Sequence, residues 1–72
     1  MDAPVGLPNL ASLSQAQRDV LRLIGEGKMT KEIAEVMGIS EKGVEYHRGV
    51  IYRRLGFRSL GEAVAFTVKS EV

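Results

Sequence analysis

From Leu13 onward apolar residues recur every three or four positions, and no stretch alternates with the period of two that a half-buried strand needs. Glycine and Ser or Thr interrupt this pattern at short intervals and divide it into four helical segments. The first carries Leu13, Ala16, Val20, Leu21 and Ile24 on its stripe. Ser14 is its N-cap, with Gln17 at the spacing of a capping box, and Gly25 or Gly27 supplies the stop. The second runs from Thr30 as N-cap to about Met37, with Ile33, Ala34, Val36 and Met37 as its apolar set. Gly38 is placed to end it, since glycine takes the left-handed conformation without steric cost. The third and longest is capped by Ser40, carries Val44, His47, Ile51 and Leu55 inward, and stops at Gly56. The fourth is capped by Ser59 with Glu62 at the reciprocal position. Leu60, Ala63, Val64, Thr67 and Val68 form its stripe, and Ala65 and Phe66 are expected on its exposed side. Residues 1–12 hold both prolines, Gly6 and Asn9 without a sustained period, which predicts a flexible arm or linker. Residues 13–70 are then one all-α, four-helix domain.

Only Gly38-Ile39-Ser40 separates the second helix from the third. A helix, a short turn with glycine and a longer second helix make a helix-turn-helix, here over about residues 30–49. Helical hairpins with glycine turns also occur in proteins that bind nothing, so the charge placement carries the next step. From Glu41 to Arg58 the cations Lys42, Arg48, Arg53, Arg54 and Arg58 face only Glu41 and Glu45, a surplus of three. The whole chain sums to +1, so the rest sums to −2. Positive charge is thus gathered on the helix that a helix-turn-helix inserts into a groove, where it neutralises phosphates. Glu45, Tyr46 and Gly49 lie one turn apart on the exposed face near its start, the part that reaches base edges. On charge alone, a merely solvated basic helix fits equally well. Tyr46 suits a base methyl, a phosphate or a protein contact. His47, on the inward stripe, is expected to be packed and hydrogen-bonded rather than catalytic or ligating. Tyr52 is expected to pack its ring near helix one or four, with the guanidinium groups of Arg53 and Arg54 left in water.

Composition narrows the function. A chain of 72 residues is one small domain that buries only about 60% of its unfolded surface. It has no Cys and one His, so disulfides, thiolate metal sites and His-cluster metal sites are excluded, and helix packing or oligomerisation must stabilise it. No apolar run approaches the roughly 18 residues of a membrane span. The start, Met1-Asp2-Ala3-Pro4, is unlike a signal peptide, so a cytoplasmic protein without membrane partners is expected. No acid/base pair or nucleophile constellation is present, and an enzyme, a catalytic residue, a cofactor or a metal site is not expected.

The stretch Leu13 to Val68 resembles the LuxR-type, or GerE, helix-turn-helix domain. The matching words are Leu13-Ser14, Val20-Leu21, Gly27, Thr30-Lys31-Glu32-Ile33-Ala34, Ile39-Ser40, Val44, His47, Ile51, Leu55-Gly56 and Glu62-Ala63-Val64. Each is weak alone, but they stand in order and at the family's spacing over about four-fifths of the chain. The size fits a stand-alone GerE-like member or the excised C-terminal domain of a response regulator. The resemblance implies a bacterial transcription factor domain that binds double-stranded DNA with helix three in the major groove. It places Thr30, Lys31, Lys42, Gly43 and Arg54 at the phosphate backbone, and Glu45, Tyr46 and Gly49 at bases. Helix four would pair two copies through Leu60, Val64, Thr67 and Val68, and RNA polymerase is a further candidate partner.

Departures from the family pattern sharpen this. The usual Arg-Glu pair of helix one is Ala16-Gln17, which predicts a lost surface ion pair of small worth, about 0–1 kcal/mol. Gly43 replaces a usual Thr, and with Gly49 it puts two glycines inside one helix, each costing about 1 kcal/mol against alanine. Close approach of the helix backbone to DNA accounts for both, and drift on a surface position is the plainer account. Glu45 stands where many members have Lys; an acid facing DNA is favourable mainly by accepting from cytosine N4, so a cytosine preference is expected. The rival reading is a helical protein-interaction module that pairs with another regulator or with polymerase and does not bind DNA alone.

Overall fold

A computed structural model describes residues 10–70. Residues 1–9 of the expected arm lie outside the described residues. Its last three, Leu10–Ser12, form a 3-10 turn closed by the Leu13 N–H donating to the Leu10 carbonyl, and Leu10 packs on the core. Four α-helices follow, with no strand among the described residues: α1 (Gln15–Gly25), α2 (Thr30–Met37), α3 (Glu41–Leu55) and α4 (Leu60–Ser70).

The predicted caps set these boundaries. Ser14 Oγ accepts the Gln17 N–H at 3.2 Å and Gln17 Oε1 accepts the Ser14 N–H at 3.1 Å, a complete capping box. Ser40 Oγ takes the Gly43 N–H at 3.0 Å, and Ser59 Oγ takes the Glu62 N–H at 3.2 Å. The Glu62 carboxylate reaches one residue further back than a capping box requires, to the Arg58 N–H. Gly38 and Gly56 end α2 and α3 with φ of 68° and 74°, the left-handed geometry that a side chain would disfavour. One expected cap differs. Thr30 is the first residue inside α2, and Met29 precedes it in extended conformation, its N–H held by Glu32 Oε1 at 2.8 Å. The Glu32 carboxylate thus makes only the reciprocal bond of a capping box, to the N-cap N–H, and not the bond to a first-turn N–H expected of the Thr hydroxyl.

α1 is the hub, packing against α2, α3 and α4, while α2 also packs on α3. Leu21, Ile24, Ile33, Ile51, Val20 and Val44 are fully buried between them, joined by Leu13, Leu23, Ala34, Leu55 and Ala63. At the α1–α4 crossing the backbones come unusually close. A Cβ on Gly25 would stand 2.1 Å from Thr67 Oγ1, so this glycine is required inside α1 rather than being its stop. The stop is Gly27, with φ 84°.

Several expected faces change. Val36 is 63% exposed, because the eight-residue α2 buries only its Ile33–Ala34–Met37 side. Gln17 is buried, not a surface position, so the replaced ion pair was not a surface matter. Leu23 and Val50, outside the expected stripes, are buried. In α4, Ala63 is the fully buried member; Leu60 and Val68 point out at 53% and 76% exposure. Phe66, expected outside, is half-buried against the core with its ring 5.4 Å from Phe57, which also meets Tyr52 edge-on at 6.0 Å. That aromatic cluster closes the α3–α4 corner, and Tyr52 packs inward as expected.

Candidate nucleic-acid interface

The side of α3 turned away from the core is set by the helical repeat. Lys42, Glu45, Tyr46, Gly49 and Arg53 fall at i, i+3, i+4, i+7 and i+11, one continuous face. All are exposed except the half-buried Gly49, and Tyr46 shows 66% of its surface. Lys31 shares a shallow recess with Ser40 and Glu41, so the start of α2 adds its cation beside the start of α3. Thr30, half-buried, opens α2 one residue earlier. This sets Lys31 beside the start of the face that carries Lys42, Glu45, Tyr46, Gly49 and Arg53, whereas Thr30 lines a separate recess with Lys28, Arg48, Leu60 and Val64.

These cations are uncommitted. Among the described residues the ion pairs lie on α1, where Arg22 meets Asp19 at 3.1 Å and Glu26 at 3.9 Å. Among the described residues Lys31, Lys42 and Arg53 form no ion pair, although Glu35 and Glu41 line the recess beside Lys31, so these cations remain available to a polyanion. The face is also not shaped by internal packing. A Cβ on Gly43 would meet Ser40 Oγ at 3.4 Å and one on Gly49 would meet the Arg53 guanidinium at 3.6 Å, both ordinary contacts. The fold therefore has no steric need for glycine at either position. The N–H of Gly43 is spent on Ser40 Oγ, which leaves its bare Cα as what it offers outward.

Two expected backbone contacts are placed differently. Arg54 is exposed, but its guanidinium donates to the Ser12 carbonyl and ties the entering chain to α3. Arg48 lies four residues after Val44 and three before Ile51, on the inward side. It is half-buried in a recess between the α1–α2 connection, α3 and α4, and its Nε–H is buried without an acceptor. Such a donor costs about 1–3 kcal/mol. Lys28, which the sequence reading did not single out, is exposed and lines the same recess. Its signal was a lone cation in the Gly27–Thr30 connection, two residues before the helix-turn-helix.

His47 is half-buried, and its Nδ1 lies 3.4 Å from the Gln17 amide nitrogen. Because Gln17 Oε1 accepts the Ser14 N–H, the amide presents its NH₂ to the ring. An amide nitrogen only donates, so in this pairing Nδ1 is the acceptor. The histidine thus fastens α3 to the cap of α1, a structural task that needed the buried Gln17. Of the residues expected to pair two copies, Leu60 and Val68 are exposed and Val64 is half-buried. Thr67 is turned to Gly25 of its own chain, its hydroxyl donating to the Val64 carbonyl at 2.7 Å.

Residues 11–67 match the family described as bacterial regulatory proteins, luxR family, under the name GerE. Over 60 residues, 83% of this chain, it is 43% identical to the transcriptional regulatory protein TdiR of Thauera aromatica. Over the same share it is 38% identical to the oxygen regulatory protein NreC of Staphylococcus aureus. The matched segment is 26% of the former and 28% of the latter, so the chain spans about a quarter of the length of these relatives.

Proposed function

The chain belongs to the luxR family of bacterial regulatory proteins, and on that premise we propose that it is a sequence-specific DNA-binding domain that regulates transcription, with α3 in the major groove. The observation that carries this reading is the outward face of α3, where the cations stand without carboxylate partners and the two glycines have no packing role. Lys31, Lys42 and Arg53 neutralise phosphates and fix register; Thr30 adds a hydroxyl at the start of α2. Glu45 and Tyr46 meet base edges, and Gly43 and Gly49 let the backbone approach. Arg54 and Arg48 flank this face and reach phosphates only from its edges.

Two copies bind together, on half-sites about one helical turn, roughly 34 Å, apart. Support for the pairing comes from α4, which exposes Leu60, Gly61, Ala65 and Val68 beside half-buried Val64, with exposed Glu62 and Lys69 bordering them. An apolar stripe with a glycine in its first turn suits a two-fold contact between identical helices. Selection from random duplexes at near-physiological salt tests the whole reading. Recovery of a two-fold symmetric motif is expected. Retention without a motif would reduce the domain to backbone binding, and no retention by folded protein would favour a module that pairs with another protein through the same apolar stripe.

A further inference from the structure

Tyr46 is the aromatic side chain on the outward face of α3, 66% exposed. Along its own helix it has little to lean on. Three residues to either side stand Gly43 and Gly49, which carry no side chain. Four residues to either side stand Lys42, an exposed cation, and Val50, which is buried. The ring contact that Tyr46 does make is with His47, edge-on, with 5.5 Å between centroids and 64° between planes. His47 is itself held. Its Nδ1 lies 3.4 Å from the amide nitrogen of Gln17, which is buried and whose Oε1 accepts the Ser14 N–H. A line of contacts thus runs from the cap of α1, through a buried amide and a half-buried imidazole, to an exposed ring on the outward face of α3.

Resting on the placement of α3 in the major groove, we propose that His47 is a positioning residue for base recognition. Fixed by Gln17, it holds the Tyr46 ring where that ring meets the C5-methyl group of a thymine. A loose ring would have to be ordered on binding, at an entropic cost that a ring already held avoids. Among the base edges of the major groove the thymine methyl is the apolar group, and an aromatic ring is a partner for it. Gly43 and Gly49 suit this contact, because bare Cα atoms on both sides of Tyr46 let a base edge come up against the ring itself. Polar reading falls to Glu45, one residue earlier. His47 acts without touching DNA, and its own position depends on a residue 30 places away on another helix.

The test compares thymine with uracil, which lacks only the methyl, at each position of the selected duplex. The parent chain should prefer thymine at one position of each half-site by about fourfold, the worth of one buried methyl group. Tyr46→Ala should abolish that preference. His47→Asn keeps an acceptor atom where Nδ1 stands, so the unfolding midpoint should persist. The thymine preference should nonetheless fall toward unity, with the salt slope unchanged. In a Tyr46→Ala background His47→Asn should cost no further affinity for the thymine duplex, as expected of a residue that acts through another. A full thymine preference in folded His47→Asn, or an equal loss of affinity with and without Tyr46, overturns the proposal. A second measurement needs no variant: NMR spectra of the free chain should show Overhauser contacts between the two rings and one Tyr46 χ1 rotamer. A ring averaged over rotamers overturns the proposal as well. If random duplexes yield no motif, the placement of α3 in the groove fails and takes this role with it. If a motif is recovered but thymine and uracil bind alike, only the positioning role fails.

Discussion

Gly43 and Gly49 show how a single residue can be set against the fold it sits in. Each lies inside a helix with room for a Cβ, so alanine there removes backbone freedom from the unfolded chain at no steric cost. Gly43→Ala and Gly49→Ala should each raise unfolding stability by about 0.5–1 kcal/mol, read from denaturant midpoints. On the proposed function the same substitutions weaken DNA binding, most at Gly49 in the middle of the reading face. Stabilisation with unchanged affinity would leave the glycines without a role. Glu45 makes a sharper claim, because an acid among phosphates is unfavourable unless it accepts a hydrogen bond. Glu45→Ala should bind DNA at least as tightly overall yet lose a cytosine preference worth about 1–3 kcal/mol at one position of each half-site. Profiles on single-base variants of the selected site measure this, and an unchanged profile would refute it.

The helices carry predictions of a different kind, about contacts that no one segment contains. Where α1 crosses α4, Gly25 and Thr67 touch with no space for another atom. Gly25→Ala improves local helix propensity, yet it should destabilise the domain by about 1–3 kcal/mol through overpacking. Thermal or denaturant unfolding decides the sign. Partial restoration by Thr67→Ala, which removes both the hydroxyl and the methyl, would locate the strain at this crossing. On the outer side of α4, Val68 is 76% exposed and contributes little to the core. Val68→Glu should therefore leave unfolding unchanged while two copies repel across the proposed contact. Cooperative occupancy of paired half-sites would be lost and binding to a single half-site kept. A folded variant that still binds both half-sites cooperatively would place the pairing elsewhere.

At the scale of the whole molecule, charge separates from fold. The local surplus of three on the Glu41–Arg58 segment is offset by acidic residues elsewhere, so salt should act on binding far more than on stability. Arg53→Ala should weaken binding to all sequences alike and lower the salt slope by about one contact, as measured by affinity across a salt series. Arg54→Ala should differ. It removes one tie to Ser12 as well, so amide exchange at Leu13 should quicken even without DNA. Equal salt slopes in Arg53→Ala and the parent chain would remove Arg53 from the phosphate contacts.

Helix positions were legible in the sequence because their signals are local. Ser14, Ser40 and Ser59 each bond to a backbone N–H three residues on, and Gly38 and Gly56 each fix one dihedral. The outward face of α3 was legible for the same reason, since the 3.6-residue repeat fixes which of its side chains share a side. What the tertiary structure alone decided lies where two elements meet. Gly25 is indispensable because Thr67 arrives from 42 residues away, and buried Gln17 meets His47 from 30 residues away. Arg54 turns back to Ser12, and Arg48 shares a recess with Lys28 that exists only once α4 closes over it. Periodicity assigns each residue to a side of its own helix. Whether that side meets water, another helix or an empty recess depends on what the rest of the chain brings to it.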